Sequence, residues 1–138
     1  MAGRFKIYHR IKCTFMFKNI LLVGLGGALG SMARYVFSLV PLTKNFPLNT
    51  FMVNVLGCFI MGIFLALSLK NEVVFNNWKL FLTTGICGGF TTFSAFAAEN
   101  VHLLQTGKTT TALAYIILST ILGIVAVFLG FKLINLNG

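Results

Sequence analysis

The stretch GICGGFTTFSAF, residues 85–96, combines glycines, hydroxyl groups and aromatic rings inside a long apolar segment. Its hydroxyl groups can bond to backbone groups that a helix break would free, and they belong to three residues: Thr91, Thr92 and Ser94. Phe93 and Phe96 stand three positions apart, and the positive edge of a phenyl ring can hold an anion without a fixed charge. Packing is the ordinary role of such rings. The hydroxyl groups nevertheless favour a broken helix, which membrane depth tolerates only where protein or water surrounds it.

Polar residues also interrupt the other apolar segments. Asn54 lies about six residues into the second one, where its amide either bonds two helices together or donates to a solute in transit. Arg34 lies near the end of the first segment and either reaches the interface or attracts anions at a water-filled vestibule. Tyr115 and Ser119 are one helical turn apart in the last segment. They form either a row of hydroxyl groups or bonds between helices.

The acidic residues are too few for most enzyme chemistry. The chain has no Asp, and its two carboxylates are Glu72 and Glu99. This composition excludes paired-carboxylate catalysis and leaves too few hard ligands for a catalytic metal site.

The cysteines and histidines are interpreted as structural. Three cysteines, Cys13, Cys58 and Cys87, are scattered and form no CxxC pair, which argues against a disulfide framework or a zinc site and favours small packing residues. His9 and His102 are isolated imidazoles outside the apolar cores, and we interpret them as interfacial bystanders.

Composition sets the class of the protein. Of 138 residues, 57% are hydrophobic and only 9% are charged, and the mean hydropathy is +0.91. A soluble domain needs a more polar surface, so the sequence predicts an all-α integral membrane protein in the lipid bilayer. A span takes about 20 helical residues. Four segments qualify: about Asn19–Val40, Leu48–Leu69, Trp78–Asn100 and Thr110–Phe131.

Residues 1–15 form a basic extension before a single membrane domain of residues 16–138. With the amino terminus, the second loop and the carboxyl terminus on one side, eight basic residues face two on the other, which predicts an amino terminus inside. A chain starting at Met16 keeps four against two, a weak bias that permits insertion in both orientations. We expect Met16 to be the working start. The cations flank membrane spans, so their distribution does not indicate nucleic-acid binding.

Gly26 and Gly30 in the first span have the GxxxG spacing. Small residues at this spacing let a second helix approach closely, where lipid offers no hydrophobic drive for association. The spacing therefore predicts a packing face.

Together these motifs resemble the CrcB family, the Fluc-type fluoride channels, over nearly the whole chain from Met16 onward. The resemblance rests on GGALGSMARY (26–35), TFMVNVLGCFIMG (50–62) and GICGGFTTFSAF (85–96), with Glu99 three residues beyond the last. It implies a channel, not an enzyme. It implies passive fluoride export across the cell's inner membrane, which would reduce fluoride toxicity. The third helix is expected to be broken, and the assembly to be an antiparallel, dual-topology homodimer with two pores built from both subunits.

The resemblance also implies roles for particular residues. A structural sodium ion is expected at the dimer interface, held by the backbone carbonyls of Gly88 and Thr91. Arg34 corresponds to a vestibule arginine. The expected fluoride path consists of Asn54, Phe93, Ser94, Phe96, Glu99, Tyr115 and Ser119. The chain departs from the family where Ala95 and Ala97 replace common hydroxyl residues, which thins the polar track.

Two other classes compete with this interpretation. A proton-coupled small multidrug exporter also has four short spans, but it needs a carboxylate at membrane depth, and the first span has none. A membrane subunit that only packs against partners would explain the GxxxG spacing. It would not explain the polar groups of the third span.

Overall fold

The computed structural model describes residues 2–40, 43, 46–70, 75 and 78–136, with side chains given within these ranges for residues 15–135. The regular structure in these ranges is helical, without a strand. Six elements follow one another: α1 (Ala2–Ser38), α2 (Leu48–Lys70), α3 (Leu80–Cys87), α4 (Gly88–Phe90), α5 (Phe93–Gln105) and α6 (Thr109–Leu136). The predicted all-α class is confirmed.

Four stretches of helix in the described part are long and apolar enough to cross a membrane, as predicted. They are Phe15–Ser38, Leu48–Lys70, Leu80–Gln105 and Thr109–Asn135. The third extends five residues beyond the predicted end at Asn100, because Glu99 and Asn100 are accommodated inside the helix by polar partners. It ends where Gly107 adopts a left-handed conformation with φ 73°. The predicted stop at Pro41 lies outside the described residues.

The third span is built from three elements, and the π-helical form of the first was not predicted. α3 is a π-helix, and its wider turn is seen where the N–H of Gly88 reaches the carbonyl of Thr83 five residues earlier. α4 continues it for one short turn, and α5 follows after two non-helical residues. π-Turns are rare and occur often at functional sites.

Glycines bring α1 against the third span. A Cβ atom on Gly26 would lie 2.9 Å from the Cα of Gly85, and one on Gly30 would overlap the carbonyl oxygen of Ile86. Gly89 meets the backbone of Gly27 in the same way. The GxxxG spacing is therefore a packing face, as predicted, and it places the end of α1 beside the break in the third span.

A second close pair is formed by α2 and α6. A Cβ on Gly62 would overlap the carbonyl oxygen of Val127, and one on Gly130 would overlap that of Phe59. The two helices therefore touch through their backbones, which holds α2 at a fixed height against α6.

Buried side chains are few in the single chain. Tyr115 and Ala112 of α6 are fully buried, with Leu103 of α5 beside them. Cys87 is buried and Cys58 half-buried, and both are free thiols, in keeping with their predicted packing role. Only 11% of the residues in the most apolar part of the third span are buried, so most of its surface needs lipid or another protein against it.

We expect Gly30→Ala to destabilise the fold by about 1–3 kcal/mol, because the added methyl group overlaps the backbone of α3. Gly24→Ala is the matched control in the same helix, since nothing lies within 4 Å of the position of its Cβ. Thermal unfolding of both variants in detergent, followed by circular dichroism, measures the difference. Equal melting temperatures would contradict the packing role of this glycine.

Candidate functional site

The third span breaks at Thr91 and Thr92, close to the middle of its membrane-spanning stretch. Thr91 is extended, with φ −77° and ψ 156°, and Thr92 is extended, with φ −149° and ψ 115°. Gly88, at φ −64° and ψ −35°, remains helical. The break was predicted around Gly88–Thr91, and it lies at the carboxyl end of that stretch, because the glycines before it pack against α1 while helical.

Asn54 of α2 closes one side of the break. The N–H of Thr92 donates to Asn54 Oδ1 at 2.8 Å, and Asn54 Nδ2 donates to the carbonyl of Thr92 at 3.2 Å. The amide thus pairs with both backbone groups of one extended residue, as a neighbouring strand would. One of its two N–H bonds is enough for this pairing, which leaves the second available to another acceptor.

Hydroxyl groups cap the two helix ends that the break creates. The backbone N–H and the Oγ1 hydroxyl of Thr91 both donate to the carbonyl of Cys87, at 3.0 and 2.9 Å. Thr92 Oγ1 accepts the N–H of Ala95 at 3.2 Å and lies 3.1 Å from Ser94 Oγ. Threonine is a favoured helix N-cap for this reason. The hydroxyl residues of the motif therefore support the break, as their types predicted.

Two carbonyl groups at the break lose their regular helical donors. In a continuous helix the N–H of Thr92 would bond to the carbonyl of Gly88, and that of Ala95 would bond to Thr91. These donors bond to Asn54 and to Thr92 Oγ1 instead. The two released oxygens are those that the family resemblance assigns to sodium, and neutral oxygen ligands suit a hard monovalent cation. Among the described residues, no group of three or more His, Cys, Asp or Glu side chains offers another metal site.

Arg34 of α1 approaches the break from the opposite side. Its Nε donates to the carbonyl of Gly89 at 3.3 Å, in the last turn before the break. It also lines a cavity of about 320 Å³ together with Ser31, Asn49, Thr50 and Thr92. The guanidinium is therefore turned inward, which fits the vestibule alternative better than a side chain that only reaches the membrane surface.

Three aromatic rings form a continuous row beyond the break. The centroids of Phe93 and Phe96 are 5.8 Å apart at an interplanar angle of 39°. Those of Phe96 and Tyr115 are 4.9 Å apart at 62°, an edge-to-face contact. Phe93 is 80% exposed and Tyr115 is fully buried, so the row leads from the surface of the single chain into its core.

Glu99 lies at the inner end of this row. Thr50 Oγ1 donates to Glu99 Oε1 at 2.6 Å, and Tyr115 Oη donates to Glu99 Oε2 at 2.9 Å. Tyr115 therefore bonds between helices and also belongs to the aromatic row. Thr50 was not predicted as a site residue, although its position one helical turn before Asn54 places both on the same face of α2.

The structure brings most of the predicted path residues together. Asn54 contacts the break, and Phe93, Phe96, Tyr115 and Glu99 follow one another by ring contacts and a hydrogen bond. Ser119 is not connected to this set by any hydrogen bond in the described part of the chain, where its buried Oγ has no partner. An unpartnered buried hydroxyl is a donor still available to a bound ion or water.

Four apolar helices, with the third interrupted at mid-membrane and capped by polar side chains, define a multi-pass membrane protein with an irregular backbone segment inside the bilayer. A family profile described as "CrcB-like protein, Camphor Resistance (CrcB)" matches residues 21–131, and the chain belongs to this family. The family was predicted from the motifs, and it is confirmed.

Curated relatives match over almost their whole length. A protein of Azobacteroides pseudotrichonymphae is 50% identical over 121 residues, which cover 86% of this chain and 97% of the relative. One of Methylobacillus flagellatus is 42% identical over 123 residues, 86% of this chain and 96% of the relative. One of Phocaeicola vulgatus is 45% identical over 116 residues, 82% and 95% of the two chains. Each carries the name "Fluoride-specific ion channel FluC".

We expect Asn54→Asp to destabilise the break. The carboxylate still accepts the N–H of Thr92, but it has no donor for the carbonyl of Thr92, and two acceptors then face each other. Leaving a buried polar group unpaired costs about 1–3 kcal/mol. Hydrogen exchange of a peptide covering residues 88–96 should accelerate at least tenfold.

Asn135→Asp makes the same chemical change at the exposed end of α6 and serves as the control. The hydrogen-exchange rate of residues 88–96 in this variant should match that of the parent. If Asn54→Asp also leaves this exchange unchanged, the amide does not hold the break.

Proposed function

We propose that this protein is a fluoride-selective channel through which fluoride leaves the cell passively, so that it protects against fluoride toxicity. The observation that carries the proposal is the row Phe93–Phe96–Tyr115, which starts beside a mid-membrane break held by the Asn54 amide. Family membership and the printed names of relatives that are 42–50% identical support the same function. The proposed function is that of a channel, without enzymatic activity.

The chemistry of the row suits a small anion. Fluoride is strongly hydrated, so a narrow path needs donors that replace its water. The second N–H of Asn54, the Ser94 hydroxyl and the positive edges of the rings provide weak attraction at several successive points. Conduction requires binding that permits exit as well as entry. The sequence has no Lys or Arg between Lys79 and Lys108, so no fixed cation on this span would trap the ion.

Arg34 and Glu99 bound the proposed path at its two ends. The cavity beside Arg34 borders Thr92, so an anion gathered there by the guanidinium lies next to the break. At the other end, both oxygens of Glu99 accept hydroxyl hydrogen bonds, from Thr50 and Tyr115. These donors partly offset the negative charge that would otherwise repel fluoride, and Ser119 offers a further hydroxyl one turn along α6.

We infer that the working unit is an antiparallel homodimer with dual topology in the inner membrane, with pores built from both subunits. The argument rests on exposure at the break. Phe93 and Ser94 are exposed in the single chain at mid-membrane depth. Lipid provides no partner for the Thr91 carbonyl, which has lost its helical donor, and no further hydrogen bond for the Ser94 hydroxyl beyond its contact with Thr92. A second copy across this surface satisfies them, and the four-against-two charge count of the chain from Met16 permits its opposite orientation.

The proposed dimer also offers a binding site for a sodium ion at its interface. The carbonyls of Gly88 and Thr91 lack the backbone donors that a continuous helix would give them. Two antiparallel copies would contribute four such oxygens. Residues 80–105 contain only one acidic side chain, Glu99, which lies six residues into α5, beyond the break. A cation at the interface would therefore bind through neutral oxygens, in a structural role.

We expect Phe96→Ile to lower fluoride efflux from proteoliposomes at least tenfold, about 1.4 kcal/mol of barrier. Isoleucine keeps most of the bulk and the hydrophobicity of the site and removes the aromatic ring, with its positive edge, from the row. Phe128→Ile on the exposed surface of α6 is the matched control and should conduct normally. A fluoride electrode measures the efflux, with chloride as the control ion. Parental flux through Phe96→Ile dimers would show that the ring is a packing residue.

Sodium depletion tests the interfacial ion. After prolonged exchange into a large organic cation, we expect fluoride efflux to fall and the dimer to dissociate at lower temperature, because the carbonyls of Gly88 and Thr91 lose their shared ligand. Exchange into sodium after depletion should restore both properties. If efflux and dimer stability do not change, no sodium ion supports the interface.

A further inference from the structure

A second cavity lies on the far side of Glu99 from the break. It has a volume of about 380 Å³, and its lining includes Thr43, Phe46, Glu99 and His102. The cavity meets the proposed fluoride path at Glu99, and the imidazole of His102 lies outside that path. A carboxylate and an imidazole that line one cavity are a pair with ligand chemistry of their own.

The helix places the two side chains together. Glu99 and His102 are at positions i and i+3 of α5, where Cβ atoms lie about 5–6 Å apart on one face. Glu99 is half-buried, whereas His102 is exposed and lies within the last turn of α5, at the membrane boundary. Its ring has no hydrogen-bond partner among the described residues. An ion in water can therefore reach the imidazole first and the carboxylate one turn deeper.

The carboxylate is already oriented for a ligand. Thr50 and Tyr115 each donate to one of its oxygens, at 2.6 and 2.9 Å. Each oxygen keeps a further lone pair after accepting one hydrogen bond. Hydrogen bonds of this kind fix metal-binding carboxylates in place and raise metal affinity. Glu99 thus resembles a metal ligand supported by its neighbours more than a free surface acid.

We propose that Glu99 and His102 form a binding site for zinc or a similar borderline divalent cation. The imidazole selects against calcium and magnesium, which prefer oxygen ligands, and favours zinc, which binds nitrogen and carboxylate oxygen together. Two protein ligands leave the other positions to water. The described residues contain no group of three such ligands, so the ion is held by only two protein ligands and exchanges with ions in solution.

A cation at this site has a direct consequence for transport, and this step rests on the proposed function. Glu99 is bonded to Tyr115, whose ring touches Phe96. A divalent charge at the carboxylate would bind fluoride at the end of the row more strongly than exit allows. Zinc at the cavity should therefore inhibit fluoride efflux.

Zinc binding to the purified, untagged protein in detergent tests the site directly. Titration against a chromophoric zinc chelator at pH 7.5 should show that His102→Ala weakens binding at least tenfold. His102→Cys should retain it, because a thiolate also binds zinc. His9→Ala, which removes the other histidine, should bind as the parent does.

A further variant tests the geometry. Val101 is also exposed on α5 but points away from the face that Glu99 and His102 share. Val101→His combined with His102→Ala keeps one imidazole in this turn and should not restore binding. Zinc affinity that is unchanged in His102→Ala, or restored by the displaced histidine, would overturn the site.

Fluoride efflux separates the site from the proposed function. Zinc should slow efflux through the parent at least fivefold and leave His102→Ala unaffected, while the two proteins conduct equally without zinc. If zinc binds through His102 and efflux does not change, the inhibitory role is wrong. If zinc binds but the parent conducts no fluoride at all, the proposed function fails and the metal site stands.

Discussion

The hydrocarbon core of a membrane offers no hydrogen bonds, and this constraint governs the structure around Thr91 and Thr92. A helix that opens there exposes backbone groups that lipid cannot satisfy. The chain satisfies several of them with the Asn54 amide, with the hydroxyl groups of the two threonines and with the Arg34 guanidinium. Polar residues of three different spans meet at residues 89–92 for this reason, and the proposed path begins there.

Close helix packing makes this convergence possible. The backbone of α1 touches that of the third span at Gly26 and Gly30, which brings Arg34, one turn after Gly30, within reach of Gly89. The backbones of α2 and α6 meet at Gly62 and Gly130 in the same way. A Cβ atom at these positions would overlap the facing backbone, so larger side chains would push these helices apart. The small residues therefore act at a distance from the site and still determine its geometry.

Glu99 connects the proposed path to the rest of the bundle. Its oxygens accept hydrogen bonds from α2 and from α6, so a single carboxylate joins three helices. Because Tyr115 is at once buried core, part of the aromatic row and a donor to Glu99, a change in the charge of the carboxylate acts directly on the row.

The sequence by itself determined the membrane class, the four spans, the packing role of Gly26 and Gly30, and the break in the third span, because each depends on local composition and spacing. It also carried the family, through motifs contiguous in the chain. Only the tertiary structure decided that the break lies at Thr91 and Thr92 beyond helical glycines, since packing against α1 keeps those glycines helical. It likewise showed Thr50 at Glu99, the π-helix before the break and the cavity shared with His102. These features depend on contacts between residues far apart in the chain. The number of residues between two such positions does not indicate their distance in space.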